Sequence, residues 1–200
     1  MRKKLKIVYS NPLTLFSVIV LMIMLILAIF PSQIAPMDPQ KAHYKALRSP
    51  PTKDHVMGTD YAGRDIASRL IYGVRTTLII AFSAVLLSKT IGFAWGLASG
   101  YFGGLFDLFT QRLVEVMLSI PSLVLALLLL AGLGSGKLTV IIAIAVGGIA
   151  GTVRIIRSSV LTIKNLTYVE AAKAMGAHPA FIIFKHVAPQ CAAPLLVIAS

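Results

Sequence analysis

The 200-residue sequence has few acidic residues and almost no cysteine. It contains 7 Asp and Glu residues against 19 Lys and Arg residues, and its single cysteine is Cys191. One cysteine excludes an internal disulfide bond and a cysteine-based zinc site. The four histidines are scattered and show no metal-ligand spacing such as HExxH, so no metal site is predicted.

The sequence also lacks a nucleotide-binding motif. Residues 132–137 read Gly-Leu-Gly-Ser-Gly-Lys, which superficially suggests a phosphate loop. The first glycine of that motif would fall at Ala131, and the lysine is followed by Leu138 instead of Ser or Thr. We therefore predict no ATP site in this chain.

Long apolar runs dominate the rest of the chain. Hydrophobic residues make up 57% of it, and several runs approach the roughly 20 residues that a transmembrane helix needs. Spanning segments must satisfy their own backbone polar groups in lipid, which favours helices. The net charge of +12 lies in short segments between the runs, which indicates topology signals and headgroup contacts and argues against a nucleic-acid partner. The predicted fold class is an all-α polytopic membrane protein.

The N-terminal part predicts one span followed by an external segment. Residues 1–12 carry four cations and no acid, so the positive-inside rule places them in the cytoplasm. The apolar run over 13–30 predicts the first transmembrane helix, because it is longer than an ordinary signal-peptide core and no cleavage site follows closely. Residues 31–77 are polar and proline-rich in their first half, and we expect them to be extracytoplasmic.

Residues 78–200 predict a core domain with further spans. Three apolar runs lie at 78–97, 113–133 and 138–153, and a short turn-rich stretch around 100–107 separates the first two. Ala143, Gly147 and Gly151 recur every four residues, which favours close helix packing. A fifth run begins at Cys191 and continues for only 10 residues.

Lys89 is the most unusual residue in the predicted spans. A charge in the bilayer costs about 3 kcal/mol on insertion scales, so it must snorkel, pair with an acid or face a water-filled cavity. Glu115 is the candidate partner acid. Ser119 and Ser122 flank Pro121, which is expected to kink the third span. These four polar residues are candidate pathway residues; snorkelling, contact with a neighbouring helix and a simple proline bend are the plain alternatives.

A polar segment over 167–189 interrupts the apolar runs and reads TYVEAAKAMGAHPAFIIFKHVAP. Thr167 and Glu170 fit a capping box at the start of a short helix. Gly176 suits the end of that helix, and Pro179 suits the first turn of the next one. By periodicity alone, a plain amphipathic surface helix explains this segment equally well.

Glu170-Ala171-Ala172, Gly176 and Pro189 resemble the EAA loop of ABC importer permeases. The resemblance implies a cytoplasmic loop that forms a coupling helix and docks in a groove of a separate ATPase subunit. It also implies that ATP and Mg²⁺ are bound by that partner, and that this chain binds no cofactor and has no enzymatic activity of its own. We expect the two alanines to allow close approach and Gly176 to set the angle of the following helix.

A second motif lies upstream and resembles the C-type permeases of the branch that imports peptides, nickel and related chelates. Its residues are Gly58, Thr59, Asp60, Gly63, Arg64, Asp65, Ser68, Arg69, Tyr72, Gly73 and Arg75. Asp60/Arg64 and Asp65/Arg69 are spaced for ion pairs on an exposed helix, which is expected from Asp60 onward. The functional hypothesis for this segment is that it docks a substrate-binding protein directly. The alternative without a functional role is a charged interfacial helix that leads into the next span.

Together the motifs imply the transmembrane domain of a type I ABC importer with six spans, of which this sequence ends inside the fifth. The implied partners are a second homologous permease, two ATPase subunits, an extracytoplasmic substrate-binding protein and the lipid of the cell membrane. The implied cargo is a peptide, nickel or a metal chelate. A secondary transporter or channel is the alternative, which would need intramembrane ion sites and often has internal repeats.

Overall fold

The computed structural model describes residues 11–199, and every named element in that range is helical. The all-α prediction is therefore confirmed. Residues 1–10, which carry the predicted cytoplasmic cations, lie outside the described part of the chain. The described residues divide into two compact units, and the division falls between Ile79 and Ile80.

The first unit begins with helix α1, Pro12–Ile29, followed by the short helix α2, Pro31–Ile34. The side-chain oxygen of Asn11 accepts the N–H of Leu13 at 3.0 Å and caps α1, with proline in its first turn. None of the residues of α1 is buried by protein, although the helix is strongly apolar. Such a helix is suited to contact with lipid.

Residues 35–65 form a loop whose two arms are bonded to each other through the backbone. The N–H groups of His43 and Arg48 bond to the carbonyls of Gly63 and Asp60, at 2.8 and 3.1 Å. Helix α3, Ile66–Phe102, follows the loop. The helix expected from Asp60 onward therefore begins later, at Ile66, because residues 60–64 form a turn closed by the bond from Asp60 N–H to Arg64 O at 2.9 Å.

Helix α3 extends beyond the 78–97 span on both sides: it includes most of the helix expected before the span and the first residues of the loop expected after it. The second unit contains the rest of α3 and the following elements: α4 Gly104–Ser119, α5 Ser122–Leu133, α6 Lys137–Ile163, α7 Thr167–Ala174, α8 Pro179–Ile182, a π-helical turn Ile183–Val187 and α9 Ala192–Ala199. The loop expected around 100–107 is reduced to a sharp break at Gly103 and Gly104. The kink predicted at Pro121 is present as a bend of 91° between α4 and α5.

Three described helices are long and apolar enough to cross a membrane, namely α1, α3 and α6. The count rises to five if the bent pair α4–α5 and the pair formed by Pro179–Val187 and Ala192–Ala199 each act as one span. A polytopic membrane chain is thus confirmed, whereas the predicted count of six spans is not reached among residues 11–199.

The core of the second unit forms where α3 and α6 approach each other very closely. Three glycines of α3, spaced four residues apart, each face a β-branched residue of α6: Gly92 faces Thr152, Gly96 faces Ile156 and Gly100 faces Val160. A Cβ atom at these glycines would lie 2.6, 2.9 and 2.8 Å from the Cβ atom opposite. We call these six residues the glycine seam, and it leaves no room for a larger residue on α3.

The seam differs from the small-residue repeat that the sequence suggested. Of that repeat, Ala143 is buried and Gly147 lies near Ser122, but a Cβ atom at Gly151 would meet no atom within 4 Å. The close approach instead uses glycines of α3, because only there do small residues face bulky ones on the neighbouring helix.

Candidate functional site

The elbow is our name for residues 167–189, which join α6 to the final described helix. Its first helix, α7, begins at Thr167 with Leu166 as the preceding cap residue, and no side chain caps it. The predicted capping box is therefore wrong. The Leu166 carbonyl accepts the N–H groups of Val169 and Glu170 at 2.9 and 3.1 Å, so the backbone alone starts the helix.

The end of α7 is fixed by glycine. Gly176 adopts φ +78°, its N–H bonds to Lys173 O at 2.9 Å, and the N–H of Ala177 bonds to Ala172 O at 3.1 Å. This pair of bonds is a Schellman motif, which favours glycine at the left-handed position. The predicted stop at Gly176 is confirmed, and Pro179 begins α8 as predicted.

One face of α7 anchors the elbow in the protein core. Val169 is fully buried and Ala172 is 4% exposed. They pack in a cluster with residues of α3, of α6, of the second half of the elbow and of the turn that follows it: Leu97, Ile156, Val160, Ile182, Val187 and Cys191. Ala172 therefore holds α7 against its own chain, whereas Ala171 faces outward.

The opposite face of α7 is exposed and ends at a methionine. Glu170, Ala171, Lys173 and Ala174 are exposed, and Met175 is 81% exposed. Sequence reasoning did not single out Met175, although an apolar residue directly before a helix-ending glycine is a usable signal. We call these five residues the outer face of the elbow. Lys173 reaches back to Lys164 O at 3.5 Å, but all five residues remain exposed and form a small surface of mixed polarity.

The second half of the elbow contains a wide helical turn in front of Pro189. The N–H of Ala188 bonds to Ile183 O at 2.7 Å, five residues back. Pro189 has no N–H to continue a regular ladder, which favours such an irregular turn. Val187 is fully buried at this turn, while Pro189 is exposed. Pro189 thus favours the irregular turn with which the elbow ends.

Charged side chains brace the elbow end of the core. Arg157 of α6 donates Nε and Nη2 to the two carboxylate oxygens of Asp107 on α4, at 2.6 and 2.5 Å. Ser99 of α3 donates its hydroxyl to the same carboxylate at 2.5 Å. Lys164 donates to Gly100 O at 2.9 Å. Three helices are therefore tied together directly before the elbow, a network that sequence spacing could not reveal.

The upstream motif of the first unit forms the framework of the loop. A Cβ atom at Gly58 or Gly63 would lie 2.4 Å from the carbonyl oxygen of Ser49 or His43, respectively. Both glycines also have φ +75°. Thr59 bonds through its hydroxyl to Ala46 O and accepts the N–H of Ser49. The motif residues therefore hold the loop's two arms together.

Asp60 is the centre of this framework. Its Oδ1 accepts the N–H groups of Ala62 and Arg64 at 2.8 and 2.9 Å, and its Oδ2 accepts from the guanidinium groups of Arg64 and Arg69. Burial alone would raise the pKa of Asp60, but these bonds outweigh it and lower the pKa from 3.8 to about 2. The Asp60/Arg64 pair is confirmed in a turn instead of a helix.

Asp65 caps the start of α3 instead of pairing with Arg69 as predicted. Its Oδ2 accepts the N–H of Ser68 at 2.8 Å, and its Oδ1 lies 3.1 Å from Nδ1 of His55. Burial acts to raise the pKa of Asp65, but the bonds from Ser68 and His55 lower it overall. Gly73 and Arg75 lie exposed on α3 and take no part in this framework.

The four candidate pathway residues do not form one cluster. Lys89 bonds to Thr152 at 3.2 Å and not to Glu115, which pairs with the exposed Arg112 at 2.8 Å. Ser119 donates its hydroxyl to Val116 O at 2.8 Å. Ser122 lines a cavity of about 390 Å³ between α5 and α6, together with Ala143 and Gly147 among others. The predicted Lys89–Glu115 pair is wrong, because the ammonium group of Lys89 bonds to Thr152 and the carboxylate of Glu115 bonds to Arg112.

Helices of membrane-spanning length, a bent helix pair and a compact polar elbow define an α-helical integral membrane subunit. A family model described as "binding-protein-dependent transport system inner membrane component" matches residues 92–199. The chain belongs to this family of transport permeases. The match covers the glycine seam, the network around Asp107 and the elbow.

Curated relatives extend the similarity beyond that region. The chain is 35% identical over 188 residues to the oligopeptide transport system permease protein OppC of Bacillus subtilis, covering 94% of this chain and 62% of the relative. It is 38% identical over 194 residues to the dipeptide transport system permease protein DppC of Haemophilus influenzae, covering 94% and 66%. It is 36% identical over 154 residues to the glutathione transport system permease protein GsiD of Pectobacterium atrosepticum, covering 77% and 51%. The chain thus spans between half and two thirds of these relatives' length.

Proposed function

We propose that this chain is a permease subunit of an ATP-driven importer of peptides in the cell membrane. The observation that carries the proposal is the elbow, a helix anchored by Val169 and Ala172 whose outer face is free for another protein. The relatives named as oligopeptide and dipeptide permeases support peptides as the cargo class. Nickel and metal chelates are the other cargo classes that the upstream motif admits.

The proposed assembly has this chain, a second homologous permease, two ATPase subunits and an extracytoplasmic substrate-binding protein. ATP and Mg²⁺ are bound by the ATPases, and the outer face of the elbow, with Glu170, Ala171 and Met175, contacts one of them. Coupling requires that this contact differ between two states of the ATPase pair. The network of Asp107 and Arg157 would then carry the elbow's displacement into α4 and α6 together.

The proposed orientation has residues 1–12 in the cytoplasm and the loop over 31–65 outside. The elbow returns to the cytoplasm when α1, α3, the bent pair α4–α5 and α6 each cross once. The side of the membrane on which the elbow lies depends on the α4–α5 pair with its 91° bend. If this pair formed a re-entrant loop instead of a span, the elbow would lie outside. In the proposed orientation, the loop of the first unit is available to the binding protein through its exposed Tyr44 and Tyr61.

The proposal is tested by reconstituting the assembly in vesicles and measuring uptake of a dipeptide with ATP or with an ion gradient as the energy source. We expect uptake with ATP alone. Uptake that follows the ion gradient and ignores ATP would instead establish a secondary transporter. Screening peptides, nickel and metal chelates against the binding protein separates the cargo classes.

The Gly176→Val variant tests the coupling role in the same vesicles. Valine disfavours φ +78°, so the angle between α7 and α8 should change, and ATP hydrolysis should continue while uptake falls at least tenfold. Gly176→Asn is the matched control, because asparagine tolerates the left-handed conformation, and this variant should retain more of the uptake. Tightly coupled transport in Gly176→Val would contradict the role of the elbow's angle.

A further inference from the structure

Lys89 places a positive charge within the apolar run 78–97 of α3, where its side chain meets α6. Its Nζ donates to the hydroxyl of Thr152 at 3.2 Å, and that hydroxyl donates onward to Gly148 O at 3.0 Å. An ammonium group has three N–H donors. The side chain of Lys89 is partly exposed, so its remaining donors can be reached from outside the chain.

No carboxylate among residues 11–199 forms an ion pair with Lys89. All seven acidic residues of the sequence lie within the described range 11–199, and none of the ion pairs found there includes Lys89. The two acids on α4 are already engaged, Asp107 with Arg157 and Glu115 with Arg112. The counter-charge of Lys89 therefore comes from outside the described residues, and another molecule that reaches this level can supply it.

The depth of Lys89 argues against a lipid headgroup as that molecule. Lys89 stands 13 residues before the end of α3 at Phe102, which is about 20 Å along the helix axis. Thr152 stands 11 residues before the end of α6 at Ile163, which is about 16 Å. With a hydrocarbon core of about 30 Å, both values place the ammonium near the middle of the membrane.

A second unsatisfied polar group lies beside Lys89. The hydroxyl of Ser88 is buried and has no hydrogen-bond partner among the described residues. It faces Gly148, where a Cβ atom would lie 2.6 Å from the Ser88 oxygen. The polar groups of Ser88, Lys89 and Thr152 therefore interrupt the apolar contact at one level, and intramembrane ionisable groups of this kind typically face a pathway or a water-filled cavity.

We propose that Lys89 binds the carboxylate of the transported solute as it passes the middle of the membrane. The inference rests on the proposed function, because it needs a solute that permeates next to α3. It also narrows the cargo: a peptide carries a terminal carboxylate that Lys89 attracts, whereas Lys89 repels a bare nickel cation. A carboxylate of the second permease is the other source of the same chemistry.

The test uses the complete reconstituted assembly and two probes, the dipeptide Ala-Ala and its C-terminal amide. The binding protein is saturated with either probe beforehand, so delivery is equal and the ratio of the two uptake rates reports the membrane step. We expect the wild type to favour the free acid, Lys89→Arg to keep this preference and Lys89→Met to bring the ratio within twofold of one. The ratio does not depend on how much of a variant folds.

Several results would overturn the inference. A wild-type ratio near one would do so, as would a preference for the free acid that persists in Lys89→Met. If Lys89→Met instead weakens copurification of the second permease in the absence of solute and leaves the ratio unchanged, the carboxylate belongs to that subunit. A wild-type assembly that imports neither probe contradicts the proposed function itself.

Discussion

Single glycines decide how closely the two longest helices of the second unit approach. Along α3, Gly92, Gly96 and Gly100 could be recognised in the sequence, but their importance depends on the residues opposite them. The sequence contains equally regular small residues on α6, and it does not state which of the two sets faces a bulky neighbour. The seam therefore could not be predicted from one sequence, whereas the stop at Gly176 could, because a helix end is a local property.

The seam predicts that alanine is not tolerated at position 96. Its Cβ atom would lie 2.9 Å from Ile156 Cβ and 2.9 Å from Val153 O, so Gly96→Ala should lower the free energy of unfolding by about 1–3 kcal/mol through overpacking. Thermal unfolding of the detergent-solubilised protein measures the change. Gly151→Ala is the matched control, because that position has open space and alanine favours helix. Equal unfolding temperatures for the two variants would contradict the seam.

Asp60 predicts how the loop over 35–65 responds to acid. Its pKa is lowered from 3.8 to about 2, so its contribution to loop stability is complete above about pH 4 and is lost as the pH falls toward 2. Backbone amide exchange, corrected for the intrinsic effect of pH, should show loss of protection in the loop across that window. Asp60→Asn should be less protected at pH 6 and should show a smaller acid effect. An unchanged acid response in the variant would contradict the role of Asp60.

At the scale of elements, apolar runs located the long helices but not their ends. The helix α3 extends well beyond the predicted 78–97 because polar and glycine-containing stretches at both ends remain compatible with helix once they pack or are capped by Asp65. The elbow was found as a motif, but the sequence could not tell that Ala172 faces inward. That orientation depends on the helix phase relative to a core built from distant residues such as Leu97 and Val187.

The link between α4 and α6 predicts energetic coupling between Asp107 and Arg157. Their two hydrogen bonds of 2.5 and 2.6 Å join charged groups that are largely shielded from solvent. A double-mutant cycle with Asp107→Ala and Arg157→Ala should give a coupling of about 1.5–3 kcal/mol in unfolding free energy. The exposed pair Arg112/Glu115 provides a control cycle, in which we expect less than about 1 kcal/mol. Additive effects at Asp107 and Arg157 would show that the link is not a brace.

At the scale of the whole molecule, the proposed function requires that motion of a partner be converted into motion of this chain's helices. The described parts could transmit this motion one after another: the exposed outer face of the elbow, the buried anchor at Val169, the ion pair at Asp107 and the glycine seam between α3 and α6. Rigid contacts of this kind transmit displacement because packed interfaces do not deform gradually. Under the proposed function the partner is another chain and a binding protein delivers the cargo, so this sequence alone could not identify either one.

Site-specific cross-linking from the tip of the elbow tests the central claim most directly. The native Cys191 is fully buried, so a cysteine introduced by Met175→Cys, at a site that is 81% exposed, would react with little background. Leu138→Cys, at the opposite end of α6 and 69% exposed, is the matched control. In the complete assembly we expect position 175 to cross-link to the ATPase with a yield that changes with bound nucleotide, and position 138 not to cross-link. Cross-linking from 138, or none from 175 in any nucleotide state, would contradict the account.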